Sequence, residues 1–388
     1  MSLTQKWGKR ECFAKVFNID DDTVIFWAME GRAMNKGFFK YNLVLGTVAV
    51  ILFLGLQSVQ AVEVKLSGQV NRAVMWVDNG NDSSVLNVDN DNSSTRFRFT
   101  GSEELNDTVT VGVVWENEFQ SNDSSKVDVG QNNDGGSEFN DRKLEAYFMI
   151  PYGKISIGQG DGAANGTAEE DLSGTSVIMY AGVNDTAGSI NFRDKDDTPI
   201  ATVGSTRTNF DGLSRNDRLR YDTPTFGGAT LSASFTNGDA YELAARYSAD
   251  FDGLGKITAA IGYADTNDRS DPEYTQIGGS VSWLHTSGIN LTVSSGARDI
   301  DDADRDPFNY YGKLGYKFGI HAIAVEYGMT EDLSQEDDES KNYGLAYVVK
   351  PWNGVEFYGT YRAYSLDRDE TSNIEDIRQI MIGTRVKF

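Results

Sequence analysis

The chain has 388 residues, of which 58 are Asp or Glu and 35 are Lys or Arg, for a net charge of −23. This charge disfavours a nucleic-acid partner, because phosphate binding requires a basic surface. The negative mean hydropathy disfavours a bundle of membrane helices, each of which needs ~20 consecutive apolar residues. With one Cys and two His, the chain can form neither an intrachain disulfide nor a structural zinc site.

A secretory signal peptide is predicted near the N-terminus. Lys36 and Lys40 precede the apolar run Leu43–Leu56. This run is too short to span a bilayer but fits the hydrophobic region of a signal peptide. Small side chains follow it and suit cleavage after Ala61. The alternative interpretation is a buried core helix.

Three regions follow from this assignment. Met34 stands just before the basic segment and is a candidate for the true initiator. Residues 1–33 are then an upstream extension, residues 34–61 are the signal peptide, and residues 62–388 form the mature domain. Cleavage also removes Cys12, so the mature chain must be stabilised by hydrogen-bonded sheet rather than by disulfides.

From Val62 onward apolar and polar residues alternate with a period of two, which predicts β-strands. Sixteen such segments can be counted. Short turns such as Pro151–Gly153 and Pro351–Gly354 alternate with mostly longer, acidic connections such as Asp299–Pro307 and Glu331–Ser340. Short turns on one rim and longer loops on the other are typical of outer-membrane β-barrels. A closed barrel also pairs every backbone group in lipid without apolar helices.

A soluble β-sandwich is the main alternative fold, since it also alternates and also follows a signal peptide. Its inward-facing side chains would be apolar. Here one face of the strands carries Trp115, Tyr343, Leu345, Tyr347, Phe357 and Tyr361, and the other carries Glu116, Glu118, Glu242, Arg246, Lys313, Glu326, Glu356 and Arg362. Recurrent charges on the inner face predict a water-filled lumen. The sequence therefore predicts an all-β fold, a 16-stranded antiparallel transmembrane β-barrel.

Four segments and the terminal residue then point to a family. Leu66–Val70, Thr95–Leu105, Gly153–Gly158 and Arg218–Gly228 follow one another, and the chain ends in Phe388. In order and spacing they resemble the trimeric general porins of Gram-negative bacteria over residues 62–388. The resemblance implies a homotrimer in the outer membrane, surrounded by lipid and lipopolysaccharide, with Phe388 as the signal read by the barrel-assembly machinery.

The resemblance also implies a pore constriction. The longest connection, Asp161–Asn216, corresponds to the family's infolded constriction loop, whose carboxylates face arginines of the barrel wall across the pore. Matching the motifs assigns the acidic side to Glu169, Glu170 and Asp171, and the basic wall to Arg96, Arg98, Arg142 and Arg220. Two alternatives stay open: the arginines merely solvate the lumen wall, and the acidic residues lie at an exposed rim.

A subunit contact is predicted in the first strands. Arg72 shares the parity of the outward-facing Val70 and Val74. A lipid-facing Arg at the bilayer midplane costs about 2–4 kcal/mol, so Arg72 lies either near a rim or against protein. Lys143 and Glu145 of the fourth strand are also assigned to the outer face. This group of charges predicts a contact that includes Arg72, and the resemblance supplies the three-fold stoichiometry.

The predicted function is passive diffusion of ions and small hydrophilic solutes through an outer-membrane channel, without catalysis, cofactor or structural metal. Asp302, Asp304 and Asp306 have the spacing of a calcium loop, but Pro307 and Lys313 stand where Gly and Glu are required. Two other functions stay open: a substrate-selective outer-membrane channel, and a non-conducting surface barrel for adhesion or scaffolding. The acidic loops and the constriction arginines favour opposite ion preferences.

Overall fold

The computed structural model describes residues 2–7, 10–19, 22–29, 63–131, 136–369, 371 and 373–388. The predicted signal peptide, residues 34–61, lies outside the described residues. The chain divides into two units, residues 1–60 and 61–388. The first unit contains an antiparallel sheet of β1 (Ser2–Trp7), β2 (Arg10–Ile19) and β3 (Asp22–Met29).

The second unit is a closed antiparallel barrel, which confirms the predicted fold of sixteen strands. Seventeen strand segments make up these sixteen strands, because β5 and β6 occupy one position beside β4. In chain order they are β4 (Glu63–Asp78), β5 (Ser83–Asp89), β6 (Arg96–Asn106), β7 (Val109–Ser121), β8 (Ser137–Ile150), β9 (Gly153–Asp161), β12 (Arg215–Asp222), β13 (Ala229–Thr236), β14 (Tyr241–Phe251), β15 (Gly255–Asp265), β16 (Tyr274–Leu284), β17 (Ile289–Ile300), β18 (Phe308–Phe318), β19 (His321–Glu331), β20 (Glu339–Trp352), β21 (Val355–Asp367) and β22 (Ile377–Lys387). The last strand, β22, pairs with β4 and closes the barrel.

The connection from β9 to β12 contains several short regular elements. They are a 3₁₀ turn at Val183–Thr186, the short hairpin of β10 (Asn191–Arg193) and β11 (Pro199–Thr202), and one helical turn, α1 (Val203–Thr206). Further 3₁₀ turns lie at Asp91–Ser93 and Asn267–Arg269. Among the described residues, no helix has the length and apolar character needed to cross a membrane.

One of the sixteen positions in the barrel is shared by two strands. β5 pairs with Arg72–Asp78 of β4, whereas β6 pairs with Glu63–Gln69. Six residues, 90–95, therefore stand opposite only two residues of β4, 70 and 71. Extra residues in one strand interrupt the hydrogen-bond ladder and bend the chain. We call residues 90–95 the strand break.

The alternation of side chains determines the two surfaces of the barrel wall. Along β17, Leu291 and Val293 are exposed on the outside, whereas Asn290, Thr292 and Ser294 are buried on the inside. The same parity places the predicted outward aromatic residues outside and the predicted inward charged residues inside. An apolar exterior and a polar interior are what a barrel in a bilayer requires.

The fourth strand differs from the sequence-based expectation. β8 shifts register against β7 between Glu116 and Asn117, with Lys143 opposite Glu116. Lys143 therefore faces the lumen, and so does Glu145, which forms a buried ion pair with Arg218. The prediction that Lys143 and Glu145 lie on the outer face was wrong, because a bulge changes which side chains share a face.

The predicted asymmetry of the two rims is observed. The short connections centre on tight turns such as Asp107–Thr108, Pro151–Tyr152 and Asn353–Gly354. The opposite rim carries longer connections, including residues 301–307 and the segment 162–214. Strand direction alternates around the barrel, so each set of connections lies on one side of the membrane.

We predict that the short turns face the periplasm and the longer connections face outward. Single cysteines that replace Asp304 and Asn353 should then be labelled to different extents on intact cells. Only the cysteine at position 304 should react, because an impermeant maleimide reaches only the outer rim. Residues 62–388 contain no cysteine, so a label on the barrel reports only the introduced residue. Both variants should react after permeabilisation, and equal labelling of both on intact cells would contradict this topology.

Candidate functional site

Residues 162–214, which we call the infolded loop, fold back into the barrel and bind its inner wall. Lys313 of β18 pairs with Asp171 and donates a hydrogen bond to Met179 O at 2.8 Å. On β22, Gln379 donates to Thr186 O at 2.5 Å. The loop is therefore attached to the wall at several places along its length.

An apolar cluster fills the space between the infolded loop and one side of the wall. Its buried members include Ile178, Met179, Val183, Ile190 and Phe192 of the loop, and Met75, Val77, Val88, Val348, Ile377 and Met381 of the wall. The wall residues belong to β4, β5, β20 and β22, whose inner faces are apolar at these positions. The expectation of a lumen without a packed core was therefore wrong on this side of the barrel.

One buried ion pair of the wall and a buried arginine of the loop add to this attachment. Arg362 of β21 and Glu326 of β19 are 2.6 Å apart, and both side chains are 0% exposed. Arg362 also donates a 3.0 Å hydrogen bond to Thr186 of the loop. From the loop itself, Arg207 donates to Ser340 O at 2.5 Å. Charged groups removed from water persist only when they are paired and hydrogen-bonded, so these contacts specify one position of the loop.

On the other side of the lumen a polar cavity of about 680 Å³ remains between the infolded loop, the strand break and strands β6–β8. Its charged lining residues are Arg96, Lys126, Arg142, Arg215 and Arg385 among the bases, and Asp91, Glu118, Asp123, Glu169, Asp185 and Asp211 among the acids. The cavity is the place where a solute in the lumen meets charges from both the wall and the loop.

Three of the predicted constriction residues line this cavity: Arg96, Arg142 and Glu169. The other predicted basic residues face the lumen at its margin. Arg98 is bound to Glu116. Arg220 is 2.8 Å from Asp222 and donates to Gly162 O at 2.8 Å.

The predicted acidic trio is divided between two locations. Glu169 faces the cavity and accepts a 2.8 Å hydrogen bond from Asn209. The backbone N–H of Glu170 donates to Ser280 Oγ at 2.9 Å, while Asp171 pairs with Lys313 on the wall. Glu170 and Asp171 thus belong to the attachment of the loop, because successive residues of an irregular segment point in different directions.

The structure pairs the wall arginines with carboxylates that the sequence-based site omitted. Arg142 lies 2.9 Å from Glu116 and 2.6 Å from Glu118, and Arg96 lies 3.7 Å from Glu116. Alternation had already placed Glu116 and Glu118 inward, on the strand that follows the Arg96 strand. That signal was sufficient to find these pairs.

Every basic residue that lines the cavity has an acidic partner. Besides Arg96 and Arg142, Arg215 is 3.1 Å from Asp161. Arg385 donates to Glu356 at 2.7 Å, and Lys126 is 3.7 Å from Asp123 and also pairs with Glu138. By contrast, within the described part of the chain four lining acids form no ion pair: Asp91, Glu169, Asp185 and Asp211.

The unpaired carboxylates of the infolded loop titrate above the usual range. Burial raises the pKa of Asp185 to about 6, although the Tyr180 hydroxyl donates to it and Arg362 lies nearby. Burial likewise raises the pKa of Asp211 to about 6, against hydrogen bonds from the backbone N–H groups of Ala168 and Gly166. The pKa of Glu169 is raised well above its usual value by burial and by Asp211. The charge on the loop side of the cavity therefore changes near neutral pH.

The two remaining predicted residues lie outside the cavity. Arg72 is on the outer face, with 34% of its side chain exposed, and donates to Ser121 O at 2.6 Å and Asn87 Oδ1 at 3.1 Å. Phe388 exchanges backbone hydrogen bonds of 2.9 and 3.0 Å with Gly68. Its ring covers Gly68, where a Cβ atom would be 2.6 Å from the ring. The C-terminus is thus joined to β4, and the subunit and assembly roles of these two residues stay predictions.

Comparison with known proteins agrees with this architecture. The profile of the Gram-negative porin family matches residues 46–369. Outer membrane protein U of Vibrio parahaemolyticus is 24% identical over 261 residues, 67% of this chain and 72% of the relative. Its namesake from Vibrio cholerae is 26% identical over 311 residues, 77% of this chain and 82% of the relative.

Solved structures share the fold at lower identity. An anion-selective porin from Comamonas acidovorans superposes with a TM-score of 0.62 at 16% identity, covering 84% of this chain and 100% of that one. OmpT of Vibrio cholerae in its trimer form superposes with a TM-score of 0.53 at 12% identity, covering 85% of this chain and 100% of that one.

The chain belongs to the Gram-negative porin family. It is an outer-membrane porin, a channel by family and fold.

We predict that replacing Arg362 with Met releases the infolded loop. Glu326 is then buried without its partner, which costs about 3–5 kcal/mol, and the loop also loses the bond to Thr186. Single-channel conductance should rise and become noisier, and the unfolding temperature should fall. The double variant Arg362→Met with Glu326→Gln removes both charges and should recover much of the stability. Conductance that stays at the wild-type level in the single variant would show that the pair does not hold the loop.

Proposed function

We propose that this porin is a passive diffusion channel for ions and small hydrophilic solutes and that it prefers cations. The observation that carries the proposal is the imbalance of pairing in the cavity. Every lining base has a carboxylate partner, whereas four lining acids have none among the described residues. Close pairs cancel at the distance of a passing ion, so the unpaired carboxylates determine the sign of the potential.

The residues have distinct roles in this proposal. Arg96 and Arg142 form the basic wall of the constriction, and Glu169 stands on its acidic side. Arg98 and Arg220 support the wall through their carboxylate partners. Glu170 and Asp171 attach the infolded loop, and Asp171 does so through its ion pair with Lys313.

The fold does not determine the sign of the preference, since the structurally similar porin from Comamonas acidovorans is described as anion-selective. In this chain the bases of the cavity are paired and four of its acids are not, which argues for a preference for cations. The polar lining of the cavity supports conduction over a plugged, non-conducting barrel. A substrate-selective channel would conduct ions as well, and competition by its solute would distinguish it.

The decisive experiment is the zero-current potential in planar bilayers under a KCl gradient, measured at pH 8 and at pH 5. We predict that K⁺ permeates better than Cl⁻ at pH 8. The K⁺/Cl⁻ permeability ratio should fall at pH 5 by a factor of about three or more, because screening over the ~8–10 Å Debye length is incomplete in the cavity. The cause is protonation of Asp185 and Asp211 as the pH falls through about 6. Asp91, whose pKa burial raises to about 8, completes its protonation over the same range.

A matched control separates these two groups from the rest of the chain. The double variant Asp185→Asn, Asp211→Asn should show a lower ratio at pH 8 and a smaller change between the two pH values. Anion preference of the wild type at pH 8 would contradict the proposal. Absence of conductance would favour the non-conducting barrel.

We further propose a homotrimer, embedded in outer-membrane lipid and lipopolysaccharide and assembled by the barrel-assembly machinery through Phe388. Support comes from the solved trimer form of the structurally similar OmpT. Arg72 belongs to the proposed subunit contact. Its bonds to Ser121 and Asn87 hold the guanidinium along the outer face, where a neighbouring subunit would cover it.

We predict that Arg72→Asp lowers the temperature at which the trimer dissociates in mild detergent, because a buried contact then holds an unpaired carboxylate. Migration of unheated and heated samples in electrophoresis measures trimer and folded monomer separately. Arg72→Lys keeps the charge and should dissociate closer to the wild-type temperature. A wild-type protein that migrates only as a monomer would contradict the trimer.

A further inference from the structure

We propose that Asp91, in the strand break, is a selectivity-determining residue of this channel. It acts from a second inward projection, which belongs to the barrel wall and not to the infolded loop. The inference rests on the proposed function, passage of ions with a preference for cations, and adds the residue on the wall side that produces this preference.

The strand break projects into the lumen and is held firmly there. Gln69 of β4 donates to Ser93 O at 2.9 Å and to Ser94 O at 2.8 Å. Asn71 of β4 donates to Ser93 O at 2.8 Å. Buried side-chain amides therefore replace the ladder hydrogen bonds that the extra residues interrupt. The break has a specified conformation, so its side chains have specified positions in the cavity.

The strand break also contacts the infolded loop. Asn90 donates to Val177 O of the loop at 2.9 Å. The 3₁₀ turn of the break packs near the 3₁₀ turn Val183–Thr186, which carries Asp185. Asp91 and Asp185 are thus presented to the same cavity by two different parts of the chain.

Asp91 is well positioned but not neutralised. Its Oδ1 accepts a hydrogen bond from Gln120 at 2.5 Å, and its backbone N–H donates to Ser124 Oγ at 3.0 Å. The charged and titratable groups that face it across the cavity are Arg96 of β6, Glu118 of β7, Asp123 and Lys126 after β7, Arg142 of β8, Arg385 of β22, and Glu169, Tyr180, Asp185, Asp211 and Arg215 of the infolded loop. The bases in this set already have partners, so no ion pair neutralises Asp91. Burial and the neighbouring Asp185 and Asp123 raise the pKa of Asp91 to about 8, so its full negative charge is present above that pH.

The neighbouring Ser93 in the strand break supports this role. Ser93 Oγ accepts hydrogen bonds from Arg96 at 3.0 Å and from Arg385 at 2.7 Å, which keeps both guanidinium groups on the Ser93 side of the turn. Asn92 lies between Asp91 and Ser93, and its side-chain Oδ1 and Nδ2 are buried without a hydrogen-bond partner in the described chain. The carboxylate of Asp91 is therefore the group through which this part of the strand break acts on an ion.

The test is the zero-current potential of Asp91→Asn in a KCl gradient at pH 9.5, above the raised pKa of Asp91. We expect the K⁺/Cl⁻ permeability ratio to fall about threefold, since a charge that lines the cavity lies within a Debye length of an ion inside it. Asn keeps an acceptor for Gln120, so conductance and heat-modified migration should stay near the wild type. Asp91→Ser removes the same charge with a smaller side chain and gives a second measurement if Asn disturbs the turn. Asp91→Glu should keep the cation preference.

Asp304→Asn is the matched control, because it removes the same charge from an exposed loop outside the cavity. A wild-type ratio in both Asp91→Asn and Asp91→Ser, alongside a lowered ratio in Asp185→Asn, would overturn the role of Asp91 and leave the proposed function intact. A wild type without cation preference would overturn the proposed function. In that case a shift of both neutral variants toward anions would still establish Asp91 as a selectivity residue.

Discussion

The packing of the infolded loop against one side of the barrel wall is the interaction on which the rest of this porin depends. Lipid requires a closed barrel, because every backbone group must find a hydrogen bond within the protein. A closed barrel of sixteen strands leaves room inside. The apolar cluster and the buried Arg362–Glu326 pair fill one side of that space. The polar cavity lined by the strand break and β6–β8 is the proposed passage for ions beside this packed region.

Strand register then decides the electrostatics of this passage. Arg96 lies opposite Glu118 and Arg98 opposite Glu116 in the β6–β7 pair, while Lys143 lies opposite Glu116 in the β7–β8 pair. Directly opposed residues of opposite charge attract one another across an antiparallel pair. The wall arginines are therefore partly cancelled where they stand. Charges on irregular segments have no such opposed partner, which is why the unpaired carboxylates belong to the infolded loop and the strand break.

Sequence reasoning brought three residues of the cavity together, but it misplaced two residues of β8 and missed the strand break. Arg96, Arg142 and Glu169 were predicted together and do line one cavity. Lys143 and Glu145 were placed on the wrong face, because one bulge in β8 reverses the parity on which the assignment depended. The strand break was missed for the same reason: six residues opposite two cannot be recognised without knowing the partner strand.

The sequence by itself determined the class of fold, because a period of two separates a lipid-facing surface from a lumen-facing surface using local information alone. It also located the long connection that folds inward. Only the tertiary structure decided which inward residues meet water and which are covered. That outcome depends on contacts between distant residues, such as Lys313 with Asp171 and Arg362 with Val183 and Thr186 of the loop. Alternation specifies the face of a side chain, but the segment packed against that face is set by the path of the whole chain.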